Sequence, residues 1–379
     1  MAHYTRRDDV LARNARVSIG IDVHKWSWHV TALVEDEKVF SGAIPAEYTA
    51  LTSLLGRFED CELRAAYEAG PCGFGLFDAL ERDGIHCIVT PPSLMPVEIG
   101  NRVKTDRRDS LKLARLLQAG MLKAVFVLTE EQRADRELVR TRRQLVTQRA
   151  GTMAQVKMKL LFYSLRAPGG TRDTWSRRYV AALRAMEYPR PTLRIAMEAL
   201  LTDFEQLAAQ VAALNREIMA LARTEMYRDR VKLLTTVPGI AVLSAMEILT
   251  ELGDVARFRS NEELGSFLGL TPSEFSSGES VHQGHITRCG NARLRSTLVE
   301  NCWCLVRADP AMRKKYERIK RFRGGKRAIV AIARTLAGRI RHILLHGEAY
   351  VVGTTTNRRE NGNPEGVEDK ALAATEVTG

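Results

Sequence analysis

The stretch Val17-Ser18-Ile19-Gly20-Ile21-Asp22-Val23-His24-Lys25 decides how the first third of this 379-residue chain folds. Val17, Ile19, Ile21 and Val23 alternate with Ser18, Gly20, Asp22 and His24. Successive side chains of an extended chain point to opposite faces, so this period-two pattern of β-branched residues reads as a strand. Asp22 sits centrally in it. A carboxylate held among Ile and Val is costly unless it is paired or bound to a cation.

Working outward, WSWHVTALVE (26–35) and KVFSGAIP (38–45) follow at hairpin distance across the turn-like Glu35-Asp36-Glu37. Three antiparallel strands are expected. Residues 46–57 read as a helix, LRAAYEA (63–69) as a fourth strand ending near Glu68, 73–83 as a short helix, HCIVTPP (86–92) as a fifth strand and 107–119 as a further helix. The order β-β-β-α-β-α-β-α is that of the ribonuclease H-type fold, although order alone does not fix strand pairing.

Beyond residue 125 the pattern turns helical. Leu193, Met197, Leu200, Phe204, Leu207, Val211, Leu214, Ile218 and Leu221 recur at alternating spacings of three and four, a heptad seam. An earlier arm over 130–165 is rich in Arg136, Arg140, Arg142, Arg143 and Arg149. Ala167-Pro168-Gly169-Gly170 and Tyr188-Pro189-Arg190-Pro191 join the two, which predicts an antiparallel helical hairpin, closed within the chain or paired with another copy. The chain divides accordingly into a flexible basic arm (1–16), an α/β domain (17–125), a coiled-coil helical hairpin (126–229), a mostly helical C-terminal domain (230–350) and a disordered tail (351–379).

Charge follows the same division. Up to residue 125 there are 16 Lys and Arg against 17 Asp and Glu; beyond it there are 41 against 28. A surface for an anionic polymer is therefore expected in the second part. The six cysteines form no CxxC pair and no zinc-like spacing with histidine. They are expected to be reduced, buried thiols. No signal peptide is visible, and no apolar run approaches the roughly 20 residues of a membrane span. A cytoplasmic protein with no membrane partner is the expectation.

Four acids stand out: Asp22, Glu68, and the pair Asp106 and Asp109 within VKTDRRDSLKLARLL. In a ribonuclease H-type fold the middle of the first strand, the end of the fourth and the last helix converge at one edge. Carboxylates there suit hard cations such as Mg²⁺, with Mn²⁺ as an alternative. Two ions about 4 Å apart stabilise the attacking and leaving oxygens of a phosphoryl transfer. Asp106 is equally readable as a helix N-cap and Asp109 as a helix-dipole acid. Lys104, Arg107 and Arg108 beside the acids read as phosphate contacts or as a solvated helix face.

In the C-terminal domain, Val237-Pro238-Gly239-Ile240 resembles a helix-hairpin-helix turn, whose amides bind DNA phosphate; a plain interhelical turn is the alternative. A serine-rich stretch, Leu270-Thr271-Pro272-Ser273-Glu274-Phe275-Ser276-Ser277-Gly278-Glu279-Ser280, runs into His285-Ile286-Thr287-Arg288-Cys289-Gly290-Asn291-Ala292-Arg293-Leu294-Arg295. Arg288, Arg293 and Arg295 are phosphate-binding candidates. On residue chemistry alone the stretch reads as a flexible Ser/Gly loop, because a serine nucleophile needs a base that the sequence does not reveal. Residues 324–347 read as a basic amphipathic helix, either on nucleic acid or on the core.

GIDVHK (20–25), YEAGPCGFGL (67–76), KTDRRDSLKLARLL (104–117), VPGI (237–240), LTPSEFSSGES (270–280) and HITRCGNARLR (285–295) together resemble the insertion-sequence 110 family of bacterial transposases, relatives of the Piv-type DNA invertases. The resemblance spans about residues 15–345. It implies a RuvC-like domain with a metal-binding DEDD tetrad at Asp22, Glu68, Asp106 and Asp109, a coiled coil, and a transposase domain whose serine nucleophile matches Ser277, with Ser276 adjacent. It also implies DNA partners at element ends and target, a structured guide RNA, homodimers or homotetramers and a nucleoid location. Cys289 stands where the family often has another small or basic residue. A junction-resolving nuclease and an inactive nucleic-acid-binding protein are the competing readings.

Overall fold

Strand β1 (Arg16–Val23) lies at the centre of a five-stranded sheet of order β3-β2-β1-β4-β5. In the computed structural model, which describes residues 15–96, 105–168, 175–277 and 280–353, β1 pairs antiparallel with β2 (Ser27–Val34), and β2 with β3 (Glu37–Pro45). The turn between β2 and β3 is Glu35-Asp36, with φ of 45° and 68°, the left-handed pair that a tight two-residue hairpin requires. Helix α1 (Tyr48–Leu55) carries the chain to β4 (Glu62–Glu68), parallel to β1. Helix α2 (Gly75–Arg82) leads to β5 (His86–Thr90), parallel to β4. Helix α3 (Asp106–Gln118) follows. This is the element order expected from the sequence, with the first three strands antiparallel as expected and β4 and β5 parallel to β1.

Alternation along β1 sorts its side chains between two layers. Val17, Ile19 and Ile21 are buried with Val30, Ala65, Tyr67 and Val89 of the neighbouring strands and with Leu51, Leu54 and Leu80 of α1 and α2. Burying one such aliphatic side chain contributes about 1.5–3 kcal/mol. The residues between them turn the other way, toward α3, whose Leu113, Ala114 and Leu117 are buried.

Two compact units divide at Glu130. In the second, α4 (Glu130–Phe162) and α6 (Pro191–Leu221) run antiparallel. Arg142 Nε donates to Asn215 Oδ1 at 2.9 Å and Thr152 Oγ1 to Asp203 Oδ2 at 2.8 Å, so moving up one helix moves down the other. The buried positions of α6 are Leu193, Met197, Leu201, Phe204, Leu207, Val211 and Ile218. Leu201 rather than Leu200 lies innermost, a shift of one position from the expected seam. The Pro/Gly-rich joint holds an additional helix, α5 (Arg177–Arg184), whose Ser176 N-cap accepts from the Tyr179 N–H. Its Val180 and Leu183 pack with Val156, Leu160, Met197 and Leu201.

The rest of this unit comprises α7 (Arg228–Thr235), α8 (Val242–Leu252), α9 (Asn261–Phe267), strands β6 (Pro272–Ser277) and β7 (Ser280–Ile286), α10 (Ala292–Ala308), α11 (Pro310–Arg323) and α12 (Gly325–His346). Helix α12 buries Ala328, Ile329, Ile332, Ala333, Leu336 and Ile340, so it is a core helix with a basic outer face. The serine-rich stretch is not a featureless loop: β6 and β7 pair antiparallel, Ser276 opposite Val281 and Ser277 opposite Ser280. Nor are the cysteines uniformly buried. Cys87 and Cys302 are, and burial pushes both thiols up to about 12, whereas Cys72, Cys289 and Cys304 are exposed. No helix among the described residues is long and apolar enough to cross a membrane. The basic arm up to residue 14, Lys104 and the tail from 354 lie outside the described residues.

Candidate active site

The two ends of the first unit's acid set are brought together by β1 and α3. Gly20, two residues before Asp22, makes this possible. A Cβ there would meet the Ser110 carbonyl oxygen at 2.0 Å and the Ala114 nitrogen at 2.5 Å, so α3 lies directly against bare β1 backbone. Under this contact runs a chain of hydroxyls. Ser110 Oγ donates to the Arg107 carbonyl at 3.2 Å and bonds Thr31 Oγ1 at 2.8 Å, and Thr31 Oγ1 is 3.2 Å from Ser41 Oγ. His29 Nε2 closes the chain on Ser41 Oγ at 3.3 Å. The first turn of α3 is thereby tied to β2 and β3 through buried, mutually satisfied polar groups.

That turn carries Asp106 and Asp109. Thr105 occupies the N-cap and Asp106 is the first helical residue, so the N-cap reading of Asp106 does not hold. Asp106 is free of that duty and exposed, while Asp22 is largely buried, with side-chain exposures of 62% and 18%. Glu68 ends β4, the strand next to the one that carries Asp22. The parallel register pairs Ile21 with Tyr67, so Asp22 and Glu68 are the next residues on adjacent strands, and both alternate away from the core face that holds Ile21 and Tyr67.

His24, which the alternation pattern alone does not single out, joins these acids. Its Nε2 lies 3.2 Å from Asp22 Oδ2 and 3.7 Å from Asp106 Oδ1. Asp22, His24 and Asp106 each offer one ligand atom, all within 4.8 Å of one another. The signal was present: His24 stands two residues after Asp22 in an extended chain, hence on the same face. Burial pushes the Asp22 carboxyl above the usual carboxylate range; His24 works the other way, and the negative Asp106 and Asp109 add to the rise. A cation would relieve both the repulsion and the desolvation, so the donor set fits a divalent ion. His29, directly across from Asp22 in the β1–β2 register, has its imidazole pushed down by burial. Arg107 and Arg108 are exposed on the same turn.

Ser277 belongs to the second unit and ends β6. The base of its hairpin is built tightly. The Asn291 N–H donates to the Phe267 carbonyl at 2.8 Å and the Thr287 N–H to the Thr271 carbonyl at 2.9 Å. Gly290, at φ 136°, allows the closest approach, since a Cβ there would meet the Phe267 oxygen at 2.3 Å. Asn291 caps α10 through the Leu294 N–H at 3.0 Å, and its Nδ2 donates to Glu251 Oε2 at 2.7 Å. Glu251 is fully buried on α8 and takes both arms of Arg140 from α4, at 2.6 and 2.8 Å. Burial alone would raise the Glu251 carboxyl; the hydrogen bonds from Arg140 and Asn291 outweigh it and hold the group below its ordinary range. An acid inside the apolar run VLSAMEILTEL was a legible sign of this network.

The basic candidates divide. Arg293 is exposed, and Arg288 is exposed with a left-handed φ of 57°. Arg295 spends Nη1 on the Leu268 carbonyl at 2.8 Å, a structural bond across the hairpin base. Gly239 is fixed by packing: a Cβ would meet the Asn301 oxygen and Cys304 Cβ of α10, each at 2.7 Å.

Two family models match the chain. One, described as a transposase and labelled as the DEDD type of IS110, matches residues 19–164; the other, described as the transposase IS116/IS110/IS902 family, matches residues 231–317. The putative transposase y4qE of Sinorhizobium fredii is 34% identical over 319 residues, covering 82% of this chain and 76% of that protein. The transposase for insertion sequence element IS1533 of Leptospira borgpetersenii is 26% identical, covering 63% and 70%. The transposase for insertion sequence element IS1111A of Coxiella burnetii is 25% identical, covering 70% and 73%.

Proposed function

We infer that this chain, which belongs to the IS116/IS110/IS902 family of transposases and is a DNA transposase, cuts and rejoins DNA with a metal-binding carboxylate set and a serine. Asp22, Glu68, Asp106 and Asp109 hold the divalent ions, Mg²⁺ or Mn²⁺, in a RuvC-like domain. The observation that carries this reading is the docking of α3 on β1 at Gly20, which brings an exposed Asp106 into one cluster with largely buried Asp22. When bound, divalent ions stabilise the charge that builds on the attacking and leaving phosphate oxygens.

Asp22 and Glu68 anchor the set from adjacent strands, and the first turn of α3 supplies the remaining acids. Arg107 and Arg108, with Lys104 before them, offer cationic contacts to the DNA backbone. Ser277, on a hairpin braced by the Asn291–Glu251–Arg140 network, attacks the scissile phosphate: its Oγ bonds to phosphorus as the phosphorus–oxygen bond to the adjoining sugar breaks, leaving the serine esterified to one DNA end and a sugar hydroxyl, balanced by the serine proton, on the other. Arg288 and Arg293 receive phosphate beside it, with Arg295 holding the hairpin base; Gly239 supplies a backbone turn for a neighbouring phosphate. The surplus of 41 basic over 28 acidic residues beyond residue 125 supports a polyanion surface there, for element DNA and for a structured guide RNA. The four-acid and serine sets belong to an enzyme that works as a homodimer or homotetramer, in the cytoplasm at the nucleoid.

The test is covalent trapping. The protein is mixed with Mg²⁺, element-end DNA and RNA transcribed from the flanking non-coding sequence, then denatured and resolved on a gel. A protein–DNA adduct lost in Ser277→Ala but kept in Ser276→Ala is the expected result. Metal-dependent cleavage to free ends without an adduct would favour a nuclease that uses the acids alone and would return Ser277 to a structural role.

A further inference from the structure

We propose that His24 is a direct metal ligand, so that the site combines one imidazole nitrogen with carboxylate oxygens and favours a transition-metal dication such as Mn²⁺ over Mg²⁺. The proposal rests on the metal reading of the carboxylates and says which ion they hold and through which further atom.

Geometry carries it. β1 ends at Val23, and the His24 N–H donates to the Ser27 carbonyl at 3.3 Å, which starts the turn into β2. The ring lies on the Asp22 side of the strand, within reach of Asp106 at the start of α3. Nε2 stands 3.2 Å from Asp22 Oδ2 and 3.7 Å from Asp106 Oδ1. The three ligand atoms all lie within 4.8 Å of one another, against a limit of about 4.2 Å for donors each about 2.1 Å from one ion, so side-chain adjustments of a few tenths of an ångström let them share one. The ring is 54% exposed and free to make them. Among the described residues this is the histidine–carboxylate group with ligand atoms close enough to hold an ion together.

The chemistry then follows. Carboxylate and water ligands suit Mg²⁺, which gains little from a nitrogen donor. Imidazole raises affinity for first-row transition dications. A site made of acids alone would discriminate weakly between Mg²⁺ and Mn²⁺; with His24 it discriminates in favour of Mn²⁺. The competing role for His24 is a hydrogen-bond partner that only orients Asp22. Gln at this position can keep such a bond through its amide but cannot supply an imidazole nitrogen.

Mn²⁺ is titrated into the full chain, in the wild type, His24→Ala, His24→Gln and Asp22→Asn, and the bound ion is examined by pulsed electron paramagnetic resonance with Mg²⁺ competition. The wild type is expected to show the nitrogen coupling of a directly bound imidazole. Both His24 variants lose it, with Mn²⁺ affinity falling at least about tenfold, in the range by which even outer partners of metal ligands act, and Mg²⁺ affinity changing far less. Binding that depends on Asp22 but shows no nitrogen coupling, or coupling that survives in His24→Gln, overturns this proposal while leaving the carboxylate site intact. Absence of Mn²⁺ binding by the wild type overturns both.

Discussion

Asp22 carries a cost in the folded chain that a bound ion removes. Its folded carboxyl titrates above its unfolded value, because of burial first and the neighbouring acids next. A group shifted in this direction supports the fold only below its unfolded pKa, and that support is lost as pH rises through the folded pKa. Without divalent ions, and at pH above its raised pKa, the ionised Asp22 therefore destabilises the protein. Asp22→Asn is expected to melt at a higher temperature than the wild type in chelator, and to gain nothing from Mn²⁺ that stabilises the wild type. Thermal melts at pH 7 with and without Mn²⁺ check this; a lower melting temperature for Asp22→Asn in chelator would contradict it. Glu251 poses the opposite case, a buried carboxylate held by Arg140 and Asn291. Glu251→Ala leaves Arg140 without its partner and is expected to cost about 3–5 kcal/mol, read in urea unfolding, with Glu251→Gln milder because the amide still accepts from Asn291 or Arg140.

Among the elements, the docking of α3 on β1 decides whether a site exists. Gly20→Ala puts a methyl group where the α3 backbone already lies. Overpacking of this kind costs about 1–3 kcal/mol or more, and here it also displaces the turn that bears Asp106 and Asp109. The expected outcome is a lower melting temperature together with weakened Mn²⁺ binding, while Ser18→Ala on the same strand, which adds no bulk, keeps the metal. Sequence periodicity was enough to find the five strands and α3, because one face of each strand is apolar and the other is not. It was enough to choose Asp22, since a carboxylate in that pattern has no apolar explanation. It did not reveal the mixed pairing, in which β4 and β5 turn parallel to β1, because pairing partners leave no mark on a single strand. It also missed α5, whose eight residues sit in a stretch punctuated by Pro and Gly, and the β6–β7 hairpin, whose polar strands lack alternation and are held by Gly290 and Asn291 at the base. His24 went unread because its role depends on α3 arriving opposite it, a contact across 82 residues of chain.

Across the whole chain, acid chemistry and positive charge are segregated in sequence. The carboxylates lie before residue 125 in a stretch with no basic excess, and the surplus of Lys and Arg lies after it. DNA affinity should therefore be separable from catalysis. Asp22→Asn is expected to bind element-end DNA about as tightly as the wild type, with affinity falling steeply as salt rises, by a logarithmic slope of roughly 0.9 per phosphate neutralised. Binding titrations at two salt concentrations check this, and a salt-independent affinity would count against a backbone-contacting surface. The measurement that reaches the central claim most directly is strand joining on element-end DNA by the full chain with Mg²⁺ or Mn²⁺ and transcribed flanking RNA, comparing the wild type with Asp22→Asn and Asp106→Asn. Recombinant product from the wild type and none from either variant, with DNA binding retained in all three, is the predicted result. Product formed at wild-type levels by Asp22→Asn would contradict the account.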